Sequence, residues 1–279
     1  MPIQRGRGSN YIGQVCALAW LSVAQLVRAP SHSRRAEAAR RWARHSLWLT
    51  IGAGIAVIVL MVVLDANEIG WMPPRGIAWL WPVRILTDFG KSAYVLWTLA
   101  AGLLLVALLL PGVGGMARPA LGGFGARMLF VFFAVLLPVL FGEVIKNVVG
   151  RGRPFVGGQA NAFNFQYFAG TEAFASFPSG HAIAAFALAF AVSAVWPRLR
   201  IVMLVYAILI GATRLVLLAH HPSDVVAGAV LGVIGAMLVR YWFAARHLVF
   251  TIRRDGSIEP LARPSWRHLK RVARRPFGP

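Results

Sequence analysis

At 279 residues the chain is long enough for two soluble domains, yet 58% of its residues are hydrophobic and only 14% charged. That balance excludes both an ordinary soluble protein and a disordered one. The net charge of +20 would suggest nucleic acid in a soluble protein; here most cations sit in two terminal segments flanking hydrophobic runs, so the expected partner is a membrane bilayer and not nucleic acid.

The first apolar run, residues 11–27, carries Gln14 and Gln25 and precedes a strongly basic stretch from Arg28 to Arg44. It reads as an interfacial helix, with a seventh span as the rival; a signal peptide is disfavoured for want of a small-residue cleavage site. Ser33 to His45 reads as a basic helix lying against anionic headgroups. Six stretches are then apolar enough to cross a bilayer, at roughly 47–64, 93–110, 128–146, 181–196, 200–219 and 224–244. The expected fold is therefore all-α, a polytopic membrane bundle of six transmembrane helices with a possible extra N-terminal interfacial helix. No linker, repeat or low-complexity tract divides it. The expected organisation is a basic N-terminal region over 1–45, a six-helix membrane domain over 46–245 and a basic cytoplasmic tail over 246–279. The single cysteine, Cys16, cannot form an internal disulfide, and no Cys/His cluster has zinc spacing, so no metal and no cofactor are expected.

Cytoplasmic segments next to spans are enriched in lysine and arginine. Six spans with both termini cytoplasmic put 22 of the 29 Lys and Arg residues on that side. The other seven are Arg75, Arg84, Lys91, Lys146, Arg151, Arg153 and Arg214. The expectation is a multi-pass protein of the plasma, or inner, membrane.

Three blocks lie on the outward face in this topology: Lys146 with Arg153-Pro154, then Pro178-Ser179-Gly180-His181, then Arg214 with His220 and Asp224. Phosphoryl transfer needs cations around the equatorial oxygens, a nucleophile and a proton donor for the leaving oxygen, and these blocks supply one of each. Pro178 suits the first turn of a helix, which would leave Ser179, Gly180 and His181 with free N–H groups at a positive helix end. Arg214 is expected about 9 Å deeper than His220 by helical rise, where a cation is costly unless it faces a polar cavity. On geometry alone His221 competes with His220. Arg151 is expected to face solvent, and Glu143 could pair with Lys146 one turn away.

The three blocks resemble the signature of the type 2 phosphatidate phosphatase superfamily, which includes bacterial lipid phosphatases, glucose-6-phosphatase and the vanadium haloperoxidases. The one departure is Thr213 before Arg214, where the family usually has serine. The motifs cover about a third of the chain. The resemblance implies that His220, not His221, is the nucleophile and becomes a phosphohistidine, with Asp224 accepting its Nδ1 proton. It implies further that His181 is the general acid and that Lys146, Arg153, Ser179, Gly180 and Arg214 bind the substrate phosphate. An outward site at the membrane surface implies a lipid phosphate or diphosphate as substrate, hydrolysed without metal. The aromatic loop 155–177 and the tryptophans at 71, 79 and 81 are candidates for selecting it. A phosphotransferase on the same site is the alternative, and a non-catalytic transporter of anionic lipids the more distant one.

Overall fold

The computed structural model describes residues 11–115, 117–154, 156–157 and 161–261. Its longer helices follow the apolar runs, with two short ones, α3 and α4, between the first and second spans: α1 (Tyr11–Val27), α2 (Arg35–Val63), α3 (Asp65–Trp71), α4 (Trp81–Asp88), α5 (Ser92–Leu109), α6 (Ala117–Val149), α7 (Gly180–Val195), α8 (Arg200–Val216) and α9 (Pro222–Ala245). A short antiparallel hairpin, β1 (Phe250–Ile252) with β2 (Ile258–Pro260), follows. The helices α2, α5, α6, α8 and α9 are each long and apolar enough to cross a membrane. At 16 residues, α7 is shorter, and it sits in the middle, packed against α6, α8 and α9.

Lipid tails are as apolar as leucine, so burial alone does not hold such helices together; close van der Waals packing does. The sequence provides for it with small residues. On α7, Ala182, Ala184, Ala185, Ala187 and Ala191 are fully buried. Gly228, Gly232 and Ala236 repeat every fourth residue on α9, one above another on a single helix face. A Cβ at Gly228 would lie 2.5 Å from the Ser179 carbonyl oxygen, and one at Gly232 would collide with the Ile183 carbonyl. Any larger side chain at either glycine pushes α9 away from the start of α7, where two of the three motif blocks meet. At the opposite end, Phe130 of α6 stacks edge-on against Phe243 of α9 and Phe250 of β1, with ring centroids 5.4 and 4.7 Å apart. These contacts, worth about 0.5–1.5 kcal/mol each, hold the hairpin under the bundle.

The architecture departs from expectation in three places. The basic segment 33–45 and the first span form one continuous helix, α2, because nothing between Arg35 and Val63 breaks helical geometry. The third span begins eleven residues early, at Ala117, with Pro119 in the first turn where its ring is tolerated. The first part of the tail is a packed hairpin whose Val249, Phe250 and Ile252 are buried; residues 262–279 lie outside the described residues. The first helix, α1, is tied to the bundle at both of its ends. The Tyr11 hydroxyl donates to the Leu108 carbonyl at the end of α5, while the Leu26 carbonyl accepts from Trp242 Nε1 at the end of α9. Both ends of α1 therefore touch the same end of the bundle.

Candidate active site

All three motif blocks gather at the other end. A cavity of about 240 Å³ is lined by Lys146, Arg153, Gly180, His181, Arg214 and His220, with Glu143 and Lys91-Ser92-Ala93 at its edge. Lys146 comes from the last turn of α6 and pairs with Glu143 at 2.6 Å. Arg153 follows in the loop, its Nε donating to the Glu172 carbonyl at 2.9 Å. Arg214, in the last turn of α8, is 7% exposed. Its Nη1 donates to Thr87 Oγ1 at 2.8 Å, and its Nε has no protein partner. A buried cation steadied by one hydroxyl and facing a cavity retains donors for an anion.

The Pro-Ser-Gly-His segment differs in detail from the expectation. Pro178 precedes the N-cap, Ser179, and the helix starts at Gly180. The Ser179 N–H is taken by the Asp224 carbonyl at 3.0 Å, so the N–H groups of Gly180 and His181 are the ones left at the positive end of α7. The Ser179 hydroxyl and His181 Nε2 have no protein partner. Gly180 lets Lys146 lie close over the start of α7: a Cβ there would stand 2.9 Å from Lys146 Nζ and displace the end of that side chain.

His220 is 3% exposed, and its Nδ1 lies 2.8 Å from the Ser176 carbonyl oxygen. A carbonyl can only accept, so Nδ1 carries the proton and Nε2 the lone pair. This corrects the expected partner. The Asp224 carboxylate is 3.8 Å from Nδ1, too far for a hydrogen bond, and reaches the imidazole through Ser176, whose hydroxyl donates to Asp224 Oδ2 at 2.6 Å. Burial pulls His220 down to about 4 against the opposing pull of Asp224, so the ring is neutral at physiological pH. His221 is fully buried, hydrogen-bonds the Asp65 carbonyl region at 3.3 Å and does not line the cavity. Geometry thus separates two histidines that sequence left in competition.

Arg151 overturns its expectation outright. It is 1% exposed and makes five hydrogen bonds: two to the Ala162 carbonyl, one to Ser223 Oγ, one to Asp224 Oδ1 at 2.6 Å and one to Asp65 Oδ2 at 2.8 Å. A guanidinium has five N–H donors, so none is left over. Asp65, from the start of α3, also accepts from the Ser223 backbone N–H and hydroxyl. The result is a sealed unit, Asp65–Arg151–Asp224, that fixes Ser176 and through it His220. Two carboxylates on one guanidinium leave a net negative charge there, and the neighbouring Glu68 feels it. Its carboxylate is 2% exposed without a hydrogen-bond partner, and burial followed by the charges of Asp65 and Asp224 raises its pKa to about 7.

Sequence reasoning passed over Asp65, Thr87, Ser176 and Ser223 and counted Lys91 only as an outward cation. One signal was available: acids number nine in 279 residues, and two of them, Asp65 and Glu68, stand directly after the first span.

Beside the cavity runs an apolar groove of about 660 Å³ between α4, α5 and α7, bordered by Phe89, Tyr94, Trp97 and Leu188. The two adjoin at the start of α5, where Lys91, Ser92 and Ala93 line the cavity and Tyr94 and Val95 the groove.

This bundle and its site define a class. The chain belongs to the PAP2 superfamily, whose pattern it matches over residues 127–248. Among curated proteins it is 34% identical over 236 residues to the lipid A 1-phosphatase of Rhizobium johnstonii, covering 81% of this chain and 90% of that one. It is 33% identical over 232 residues to the lipid A 1-phosphatase of Rhizobium etli, covering 80% and 93%. A shorter likeness, 29% over 119 residues, links it to the bacitracin transport permease protein BcrC of Bacillus licheniformis, covering 43% of this chain and 56% of that one. No solved structure matches the chain significantly.

Proposed function

We propose that the protein is an integral membrane phosphatase that removes the 1-phosphate of lipid A, working without metal at the outer face of the inner membrane. The observation that carries this reading is the cavity itself: three cations, the N-terminal end of α7 and two histidines converge on a space of phosphate dimensions that opens beside an apolar groove. Likeness to the two Rhizobium proteins over most of the chain supports the choice of lipid, and the adjoining groove suits an acyl chain.

In the proposed reaction the Nε2 lone pair of His220 attacks phosphorus while Lys146, Arg153 and Arg214, with the Ser179 hydroxyl, hold the equatorial oxygens. The bond from phosphorus to the sugar oxygen breaks, and His181 gives that oxygen its proton. His181, now neutral, takes a proton from water as the water attacks the phosphohistidine, releasing inorganic phosphate and restoring His220. Asp224 and Ser176 keep Nε2 aimed throughout. Both termini are cytoplasmic in this reading, the membrane domain occupies 46–245 and flanking basic segments cover 1–45 and 246–279.

The test is phosphate release from lipid A by detergent-purified protein in EDTA, with the lipid product weighed and its phosphate position assigned. Loss of the 1-phosphate by the wild type and not by His220→Ala supports the reading. Release that requires added metal, or that survives in His220→Ala, overturns the mechanism. A phosphorylated second product in place of free phosphate would establish the transferase instead.

A further inference from the structure

At the end of the bundle away from the catalytic cavity lies a second basic pocket, of about 250 Å³, which the phosphatase reading does not use. Arg41, Trp42 and His45 of α2, Arg240 of α9 and Ser257 of the hairpin turn line it. We propose that this pocket binds the phosphodiester headgroup of an anionic phospholipid from the leaflet opposite the active site.

Depth is the first argument. The apolar part of α2 begins at Leu47, so residues 41–45 lie within two turns of the hydrocarbon edge, where headgroups and interfacial tryptophans sit. Arg240 is five residues from the end of α9, on the same level. The walls change character accordingly: Ala38, Phe190 and Met237 supply an apolar side and the arginines a polar one.

Unspent donors are the second. Arg240 lies against the rings of Phe190 and Phe250, 5.8 and 5.9 Å from their centroids. Its Nη2 donates to the Ile258 carbonyl, while its Nε has no protein partner. The indole N–H of Trp42 is buried without a partner as well. Arg41 spends Nη1 on the carbonyl and carboxylate of Asp255, at 3.2 and 3.4 Å. Each guanidinium thus retains N–H groups suited to phosphate oxygens.

Charge is the third. The two arginines are within electrostatic reach of each other. The acids around them leave both cations only partly matched: Asp255 meets Arg41 at 3.4 Å while also accepting from the Ser257 N–H and hydroxyl, and Glu259, within electrostatic reach of Arg240, pairs with Arg253 at 2.5 Å. Arg240 has no ion pair among the described residues and Arg41 has one, through Nη1, so two cations converging at a bilayer surface with donors to spare are completed by an anionic headgroup. Free phosphate would satisfy the same donors but leave the apolar wall uncovered.

Native mass spectrometry of the full chain released from nanodiscs tests this, with phosphatidylglycerol and phosphatidylethanolamine offered in equal amounts. Selective retention of phosphatidylglycerol is expected, reduced about tenfold or more in the Arg41→Gln/Arg240→Gln double variant and unchanged in His220→Ala, which separates this pocket from the catalytic one. Since Arg240 also touches the hairpin, the single Arg41→Gln variant, altered on an accessible helix face, must show an intermediate loss. Equal retention of the two lipids, or retention unaffected by either arginine variant, overturns the proposal. So does displacement of the lipid by millimolar inorganic phosphate, which would make the pocket a site for a soluble anion.

Discussion

Two layers of polar groups surround His220, and they are built on opposite plans. The inner layer, Asp65, Arg151, Ser176, Ser223 and Asp224, is fully buried and saturated, every strong donor meeting an acceptor inside the protein. The outer layer has Lys146, Arg153, His181 and Arg214 bordering the cavity and Ser179 next to Gly180 in its wall, with several donors unmet. A saturated network has nothing left for a ligand and serves as scaffold; a network with spare donors is preorganised for charge it does not itself contain. The two layers should therefore fail differently when cut.

The largest effect belongs to the inner layer. Arg151→Met strands two buried carboxylates, and breaking a buried pair in this way costs about 3–5 kcal/mol. Thermal unfolding in detergent is expected to drop sharply, with activity lost alongside; a variant as stable as the wild type would show that the network is not structural. Next comes Arg214→Gln in the outer layer, which should slow kcat by about 10²–10³-fold while leaving unfolding nearly unchanged. If it unfolds the protein instead, the division into layers fails.

A smaller effect is read from pH. Because the folded-state pKa of His220 is depressed to about 4, the proposed nucleophile stays neutral well below the ordinary histidine range, and the acid limb of kcat/KM is expected near pH 4 and not near 6.5. The same depression means that the stability contributed by His220 is present above about pH 6.5 and lost as pH falls toward 4; His220→Ala should lack that loss. A limb at 6.5 would mean that the ring is wetter than the structure has it. The smallest effect is that of Glu68→Gln. Its pKa is raised to about 7, so the wild type is most stable with this group protonated and loses that contribution as pH rises from about 4.5 through 7. The variant should match the wild type at pH 5 and exceed it modestly in Tm at pH 8.

Much of the outer layer was legible in sequence, because Lys146, Arg153, His181, Arg214 and His220 are charged or titratable residues at fixed spacing and their chemistry survives without coordinates. The inner layer was not. Asp65 and Ser223 are 158 positions apart, and no local pattern announces that α3 folds over the start of α9. Arg151 beside Arg153 looked like one more basic loop residue, since hydrophobicity says where a cation is costly but not which carboxylate will come to meet it. The spans were readable from apolar runs, whereas α3, α4 and the hairpin were not, being short elements fixed by tertiary contact. The tie from His220 to Asp224 was expected as a direct bond; a backbone carbonyl as intermediary leaves no trace in residue identity.

The bond from Asp65 to Arg151 and Ser223 has a consequence for biogenesis. Spans enter the bilayer in order of synthesis, so Asp65 and Arg151 are both in place before the last helix brings Ser223 and Asp224. Until α9 arrives, Arg151 has one of its two carboxylates and Ser176 lacks the Asp224 carboxylate that holds it beside His220. A nascent or truncated chain thus carries Lys146, Arg153 and Arg214 without the complete Asp65–Arg151–Asp224 unit, which closes only when α3 and α9 meet. Swapping the N-terminal third between relatives would carry the Asp65 half of this latch with it, on an element that does not line the cavity.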